Sequence, residues 1–162
     1  MNVLIIGANG FIGKHLTNFF YNQKNNKIFT IDLKDSKDLV GENKFIGDII
    51  EPNFIKKCIE ESQPDLVYYL ISFFSLNDIE SFTSSIKKSL TCLKNLFDNL
   101  KSRQRLIFVG SSAQYGKVPS SLQPVNENAE CPGGKTILEN ISVVVDYISK
   151  NMVFDSSEVK EY

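Results

Sequence analysis

The chain opens on an unbroken apolar run followed by three glycines at three-residue spacing, in the stretch MNVLIIGANGFIG. The apolar run, residues 3–6, is typical of a strand that is buried on both faces of a sheet. The glycines are Gly7, Gly10 and Gly13, and a helical pattern follows them. A strand that turns through glycines into a helix brings free N–H groups and the positive helix end to one point. The stretch therefore predicts an anion-binding turn, with a purely structural turn as the alternative.

The end of the second predicted strand supplies a partner for this turn. Residues 27–32 form a strand pattern that ends in Asp32, 19 positions beyond Gly13. In a dinucleotide-binding unit, an acid at this place accepts hydrogen bonds from a ribose. The first glycine permits the tight turn, the second lets the backbone approach the diphosphate, and the third lets helix and strand pack closely. The spacing favours a dinucleotide site, and the alternative for Asp32 is an acid that merely ends a strand.

Composition narrows the classes of protein to consider. The 162 residues favour one domain over residues 1–162, and 42% hydrophobic with 23% charged residues is ordinary for a globular protein. A net charge of −1 provides no basic field for nucleic acid or an anionic membrane. No apolar stretch has the length of a membrane span, and the first residues lack the pattern of a signal peptide. We expect neither nucleic acid nor a membrane as a partner.

Cysteine and histidine usage points to a reducing compartment without a metal site. The three cysteines, Cys58, Cys92 and Cys131, are odd in number and far apart, which favours the cytoplasm over a disulfide-linked fold. His15 is the only histidine, so a zinc site is not expected, and a surface or packing role is the better interpretation.

Strand and helix patterns alternate along the chain, which predicts an α/β fold with a doubly wound, mainly parallel sheet of the Rossmann type. The predicted strands are residues 2–6, 27–32, 44–46, 66–71 and 105–109, and the predicted helices are residues 11–22, 52–62, 77–100 and 135–150. Residues 110–134 form a long polar segment, and a loop of that length is usually functional or disordered.

Taken in order, several motifs resemble one known family. They are GANGFIG, the strand ending in Asp32, the step Gly47-Asp48-Ile49, the strand DLVYYL and the stretch FVGSSAQYG. This combination resembles the extended short-chain dehydrogenase/reductases, in particular the nucleotide-sugar epimerases, dehydratases and reductases, well over residues 1–116 and poorly over residues 125–140. The resemblance implies a Rossmann domain that binds NAD or NADP and a nucleotide-linked sugar as substrate.

The resemblance also implies which residues contact the cofactor. The matching positions are Gly7, Gly10, Phe11, Ile12, Gly13, Asp32, Asp48, Ile49, Leu70, Ile71 and Ser72. Asp32 would repel a 2′-phosphate, which favours NAD over NADP. Asp48 and Ile49 match a pair near the adenine ring, with a helix-capping role for Asp48 as the alternative. Ile71 is bulkier than the alanine usual in the family.

For catalysis, the resemblance implies hydride transfer assisted by a tyrosine, a lysine four residues later and a serine. Ser112 matches the serine, with Ser111 as the other candidate, and Lys135 matches the lysine. A polar strand end is the alternative for the serines. Cys131 stands at the tyrosine position, so Ser112 and Lys135 are the predicted catalytic residues and the acid/base is missing.

Two further expectations concern size and assembly. The chain ends at Tyr162, before the point where the family continues into its C-terminal substrate domain, so that domain is expected to be absent. The resemblance implies a homodimer through the helix at residues 77–100 and the helix that begins at Lys135; the alternative is that both apolar stripes of the long helix are core.

Three functions remain open from the sequence. The first is an NAD-dependent enzyme that epimerises, dehydrates or reduces a nucleotide-linked sugar. The second is a catalytically inactive module that still binds a dinucleotide. The third is an interaction protein whose turn binds nothing.

Overall fold

The computed structural model describes residues 1–23, 25–37, 39–41, 43–73, 79–110 and 120–122. The chain divides into two units, Met1–Val109 and Gly110–Tyr162. The first unit contains the sheet, and in the second the described part is Gly110 and a short 3₁₀ helix, Ser120–Leu122. One domain over the whole chain therefore stays a prediction.

Strands and helices follow each other in the order that the sequence predicts. The elements are β1 Asn2–Ile6, α1 Phe11–Tyr21, β2 Lys27–Asp32, β3 Asn43–Ile46, α2 Pro52–Ser62, β4 Leu66–Tyr69, α3 Ile79–Phe97 and β5 Arg105–Phe108. The predicted helix at 135–150 and the predicted start of α3 at Asn77 lie outside the described residues.

The sheet has five strands in the order β3-β2-β1-β4-β5, and every pair is parallel. This is the predicted doubly wound, Rossmann-like arrangement, and that prediction is confirmed. The central strand β1 pairs on both edges, with Ile6 opposite Ile31 of β2 and Tyr69 of β4. A central strand with helices on both faces has no solvent side, which explains why residues 3–6 are apolar without interruption.

The core lies in two layers, one on each face of the sheet. Leu4 and Ile6 of β1 belong to a cluster that includes buried residues of α2 and α3. Val3 and Ile5 belong to a second cluster, to which α1 contributes Phe20. Alternating side chains of one strand thus anchor helices on opposite faces, because successive residues of a strand point in opposite directions.

Several elements are shorter than predicted. The helix α3 ends at Phe97 instead of residue 100, and there the N–H of Asn99 bonds three residues back to the carbonyl of Leu96. Such tightening of the last turn is a common way to end a helix. The strand β4 ends at Tyr69 instead of residue 71.

None of the described helices has the length and apolar character needed to cross a membrane.

Candidate functional site

Four strand ends meet at one edge of the sheet. Because β1, β2, β3 and β4 are parallel, the residues that follow each of them leave the sheet at the same edge. The chain moves outward from β1 to β2 and β3, and then crosses to β4 on the other side of β1. In open α/β sheets, ligands bind outside the carboxyl ends of the strands at such a switch point.

The first residue of the glycine turn has a backbone conformation that side chains disfavour. Gly7 has φ of +87°, and its N–H donates to the carbonyl of Ile31 at 2.9 Å. A Cβ built on Gly7 would lie 3.1 Å from Cγ1 of Ile71. The predicted role of Gly7 in the tight turn agrees with this geometry, which brings the ends of β1, β2 and β4 together.

The other two glycines have different surroundings. A Cβ on Gly13 would lie 2.3 Å from the carbonyl oxygen of Gly7, so α1 can pack on the turn only with glycine at this position. A Cβ on Gly10 would meet just the Gly7 oxygen, at 3.3 Å. Among the described residues, the space next to Gly10 is otherwise open, as close approach of a ligand to the backbone requires.

The first turn of α1 is accessible and carries no negative charge. Gly10 is its N-cap, without a side-chain capping bond, and the first turn contains no acidic residue. Phe11 is 81% exposed and Ile12 47% exposed. The first N–H groups of a helix have no partner within the helix, and the helix dipole favours an anion there. This helix end is suited to a phosphate.

Asp32 is held in one orientation beside the glycine turn. Its Oδ2 accepts a hydrogen bond from the N–H of Asn9 at 2.8 Å, and its Oδ1 accepts one from the N–H of Leu33 at 2.8 Å. Each carboxylate oxygen has a further lone pair, so the fixed carboxylate can still accept from two neighbouring hydroxyls. The geometry suits the ribose role predicted for Asp32.

Asn9 contributes to the site in a way that the glycine pattern does not predict. Besides its backbone bond to Asp32, its Nδ2 donates to the carbonyl of Lys34. Its Oδ1 is buried and has no hydrogen-bond partner in the part of the chain that the structure describes. A buried acceptor of this kind is stabilised when a ligand donates to it. The only sequence signal for Asn9 was its place inside the turn.

Asp48 and Ile49 lie in the turn after β3, but only one of these side chains faces outward. Asp48 is partly exposed, and its Oδ1 accepts from the N–H of Ile50 at 3.0 Å. The side chain of Ile49 is 2% exposed and belongs to the core. A ligand can therefore reach the carboxylate of Asp48, whereas Ile49 offers just its main chain.

Asn95 reaches this turn from α3. It is 6% exposed, and its Nδ2 donates to the carbonyls of Ile49 at 3.2 Å and Ile50 at 2.7 Å. The sequence analysis missed it, because α3 was traced by its apolar residues and Asn95 interrupts them. A polar residue between buried Cys92 and Leu96 was the available signal.

The remaining predicted residues divide between β4 and the second unit. After β4, Leu70 and Ile71 are partly buried, Ile71 borders Gly7, and Ser72 is exposed. Ser72 could therefore contact a ligand directly. Ser112 and Lys135, the predicted catalytic residues, lie outside the described residues.

The two described cysteines are free, buried and unreactive in character. Burial raises the pKa of Cys58 from 9.0 to about 12 and that of Cys92 from 9.0 to about 11. A thiol reacts as its thiolate, so neither is suited to nucleophilic chemistry. No group of histidine, cysteine and acidic residues that could hold a metal ion occurs among the described residues.

Comparisons with known proteins agree with this geometry. Residues 3–136 match the model of the NAD dependent epimerase/dehydratase family. The bifunctional polymyxin resistance protein ArnA of Wigglesworthia glossinidia brevipalpis is 33% identical over 125 residues, which cover 70% of this chain and 18% of that protein.

Solved structures of epimerases are similar as well. A UDP-glucose 4-epimerase from Brucella ovis in complex with NAD has a TM-score of 0.67 and 26% identity, covering 91% of this chain and 48% of that one. A UDP-glucose 4-epimerase from Thermus thermophilus in complex with NAD, at 20% identity and a TM-score of 0.65, shares the fold over 91% of this chain and 51% of its own. The chain thus spans about half the length of these structures and less than a fifth of ArnA.

Proposed function

The chain belongs to the NAD dependent epimerase/dehydratase family, and we propose that it binds NAD at the carboxyl edge of its sheet. The observation that carries the proposal is the pairing of an uncapped helix end with a fixed acid. The N-terminus of α1 has no capping side chain, and Asn9 joins the turn before it to Asp32. These are the two groups that a diphosphate and its adjacent ribose need.

The residues present fit the cofactor. The N–H groups at the start of α1, beside Gly10, would hold the diphosphate, and the carboxylate of Asp32 would accept from the adenosine ribose. The partly exposed carboxylate of Asp48 would accept from the amino group of the adenine. Asn9 Oδ1, buried without a partner among the described residues, can accept from a further donor on the ligand.

Calorimetric titration tests the cofactor proposal. We expect NAD to bind with a Kd of roughly micromolar order and NADP at least tenfold more weakly, because Asp32 repels a 2′-phosphate. Calorimetry suits this chain, which contains no tryptophan. An absence of heat and of any NAD-induced rise in Tm would contradict the proposal.

We further propose that the protein acts on a nucleotide-linked sugar by hydride transfer. The support is the family match and the neighbouring UDP-glucose 4-epimerases. When bound, NAD supplies a hydride acceptor. Ser112 would orient the sugar hydroxyl, and Lys135 would hold the nicotinamide ribose, as the resemblance implies. Incubation with a panel of nucleotide sugars should produce a changed sugar or a transient absorbance of reduced cofactor; tight NAD binding without either would favour the inactive module.

We also propose that the protein forms a homodimer and that it is located in the cytoplasm. On α3, Leu90 is 48% exposed and Phe97 59% exposed, and their spacing of seven places them on one face of the helix. A second copy of the chain would cover this face. Sedimentation should show a dimer that Leu90→Glu with Phe97→Glu converts to a monomer.

The free thiols of Cys58 and Cys92 support a reducing compartment such as the cytoplasm.

A further inference from the structure

We propose that Asn95 is a positioning residue for adenine recognition, because it fixes the turn that presents Asp48. The inference rests on the proposed NAD site and goes beyond it, since Asn95 lies on α3 and belongs to none of the strand ends that form the site. Its side chain reaches the main chain of residues 49 and 50 from 46 and 45 positions along the sequence.

The burial of Asn95 needs a reason. Its neighbours on the same helix face, Cys92 and Leu96, are fully buried in the apolar cluster between α3 and the sheet. An amide transferred into such surroundings costs free energy unless its groups are hydrogen-bonded. A leucine would bury more apolar surface at this position without that requirement. Asn95 thus supplies a property that an apolar residue cannot.

That property is two donors directed at consecutive carbonyls. The Nδ2 group of Asn95 donates to Ile49 and Ile50, whose carbonyls belong to the connection between β3 and α2. The same connection is closed from within, because Asp48 Oδ1 accepts from the N–H of Ile50 and the Asp48 carbonyl accepts from the N–H of Glu51 at 3.1 Å. The turn is therefore fixed by its own acid and by α3 together.

Fixing this turn determines where the carboxylate of Asp48 points. Ile50 takes part in both sets of bonds, as a donor to Asp48 and as an acceptor from Asn95. Loss of the Asn95 bonds would free the carbonyls of residues 49 and 50 and allow the peptide planes to rotate. The acceptor for the adenine amino group would then lose its orientation, whereas the glycine turn, held by β1 and β2, would keep its shape.

The experiment compares two dinucleotides that differ only at the base. Nicotinamide hypoxanthine dinucleotide has an oxygen where the adenine of NAD has its amino group. We expect the protein to bind NAD about tenfold more tightly, which is the contribution of one hydrogen bond to a charged acceptor. In Asn95→Leu this ratio should fall below about threefold, mainly through weaker NAD binding.

Matched variants separate positioning from a general loss of stability. Asn99→Ala removes an amide two residues beyond the end of α3, whose Nδ2 donates to the Asn95 carbonyl and not to residues 49 and 50, and it should keep the tenfold ratio. Asn95→Ser retains one donor and should give an intermediate ratio, and it replaces Asn95→Leu if the latter fails to fold. A ratio in Asn95→Leu or Asn95→Ser equal to that of the parent protein would overturn the inference.

The two proposals fail in different ways. If the parent protein binds neither dinucleotide, the proposed function is wrong and the inference falls with it. If the parent binds both equally, NAD binding stands, while the role of Asp48 at the base and the positioning role of Asn95 are both refuted.

Discussion

Two turns at the same edge of the sheet are stabilised in different ways. Residues 7–13 take their shape from glycines and from bonds to the adjacent strand β2, such as that from the Gly7 N–H to the Ile31 carbonyl. Residues 47–51 are held by bonds within the turn and to the Asp32 carbonyl, and in addition by a side chain of α3, through the two bonds that Asn95 donates. The glycines that shape the first turn lie within it, whereas the second turn also depends on a side chain more than forty positions away.

The difference has a consequence for how each turn fails. A side chain at Gly13 of the first turn introduces a steric clash within the turn itself. Replacement of Asn95 on α3 leaves the sequence of the second turn unchanged but removes two hydrogen bonds that stabilise it. Substitutions that disturb one turn at a time therefore distinguish the two kinds of failure.

Gly13→Ala should disrupt the first turn most strongly. The new Cβ would lie 2.3 Å from the Gly7 carbonyl oxygen and 2.7 Å from Ala8 Cα, both backbone atoms that cannot rotate away. We expect a loss of about 3 kcal/mol in the free energy of unfolding, measured by urea titration with circular dichroism.

Gly10→Ala serves as its control. There the Cβ meets a single atom at 3.3 Å, so the fold should be retained and NAD binding lost. Equal stability of Gly13→Ala and the parent protein would show that helix α1 can move away from the turn.

Asp32→Ala tests the junction between the first turn and β2. Removal of a carboxylate that accepts two backbone bonds and the ribose hydroxyls should weaken NAD binding by roughly 30-fold, measured by calorimetry, since hydrogen bonds to charged groups contribute about 2 kcal/mol. Asp35→Ala is the matched control, because Asp35 is an acid three residues after Asp32 that pairs with Lys44 at 3.3 Å. Similar affinities of the two variants for NAD would contradict the assigned role.

Alkaline pH should lower the free energy of unfolding through Cys92, a buried residue of α3, the helix that carries Asn95. Burial, and then the charge of Asp48, raise the pKa of Cys92 from 9.0 to about 11. The unfolded chain ionises this thiol at the lower pH, so its contribution to stability is complete below pH 9 and is lost as the pH rises toward 11. Between these values the free energy of unfolding should fall by about 1.4 kcal/mol per pH unit from this thiol.

The matching measurement is a set of urea titrations between pH 8 and pH 10.5. Cys92→Ala should show a shallower decline over this range than the parent protein, although it is less stable at pH 8 because of the cavity it creates. Parallel declines would mean that Cys92 does not resist ionisation in the folded protein.

Asn9→Ala should have the smallest effect. The backbone bond from residue 9 to Asp32 remains, and the change removes the bond to the Lys34 carbonyl and the buried Oδ1. We expect NAD binding to weaken by about threefold, since a neutral hydrogen bond contributes less than a charged one. Asn18→Ala, an exposed asparagine of α1, should bind NAD like the parent in the same calorimetric titration.

Features that depend on residues close together in the sequence were predicted accurately, whereas features that depend on tertiary packing were not. The glycine turn and the order of the elements were predicted because each depends on neighbouring residues, and the structure confirms the fold. Ile49 shows the limit: its place in the motif was recognised, but its burial follows from packing against α2 and α3. The ends of β4 and α3 were predicted two and three residues too late, since apolar residues continue beyond the end of each element.

The sequence alone determined the parallel α/β architecture, the glycine turn after β1 and the acid, Asp32, at the end of β2. Apolar runs, helical periods and glycine spacing are local properties, and each one permits few backbone conformations. Tertiary structure alone decided that the side chain of Asn9 donates to the Lys34 carbonyl and that the side chain of Asn95 donates to the carbonyls of Ile49 and Ile50. A polar side chain can satisfy its donors in many places, and only the folded chain shows which carbonyls lie within reach.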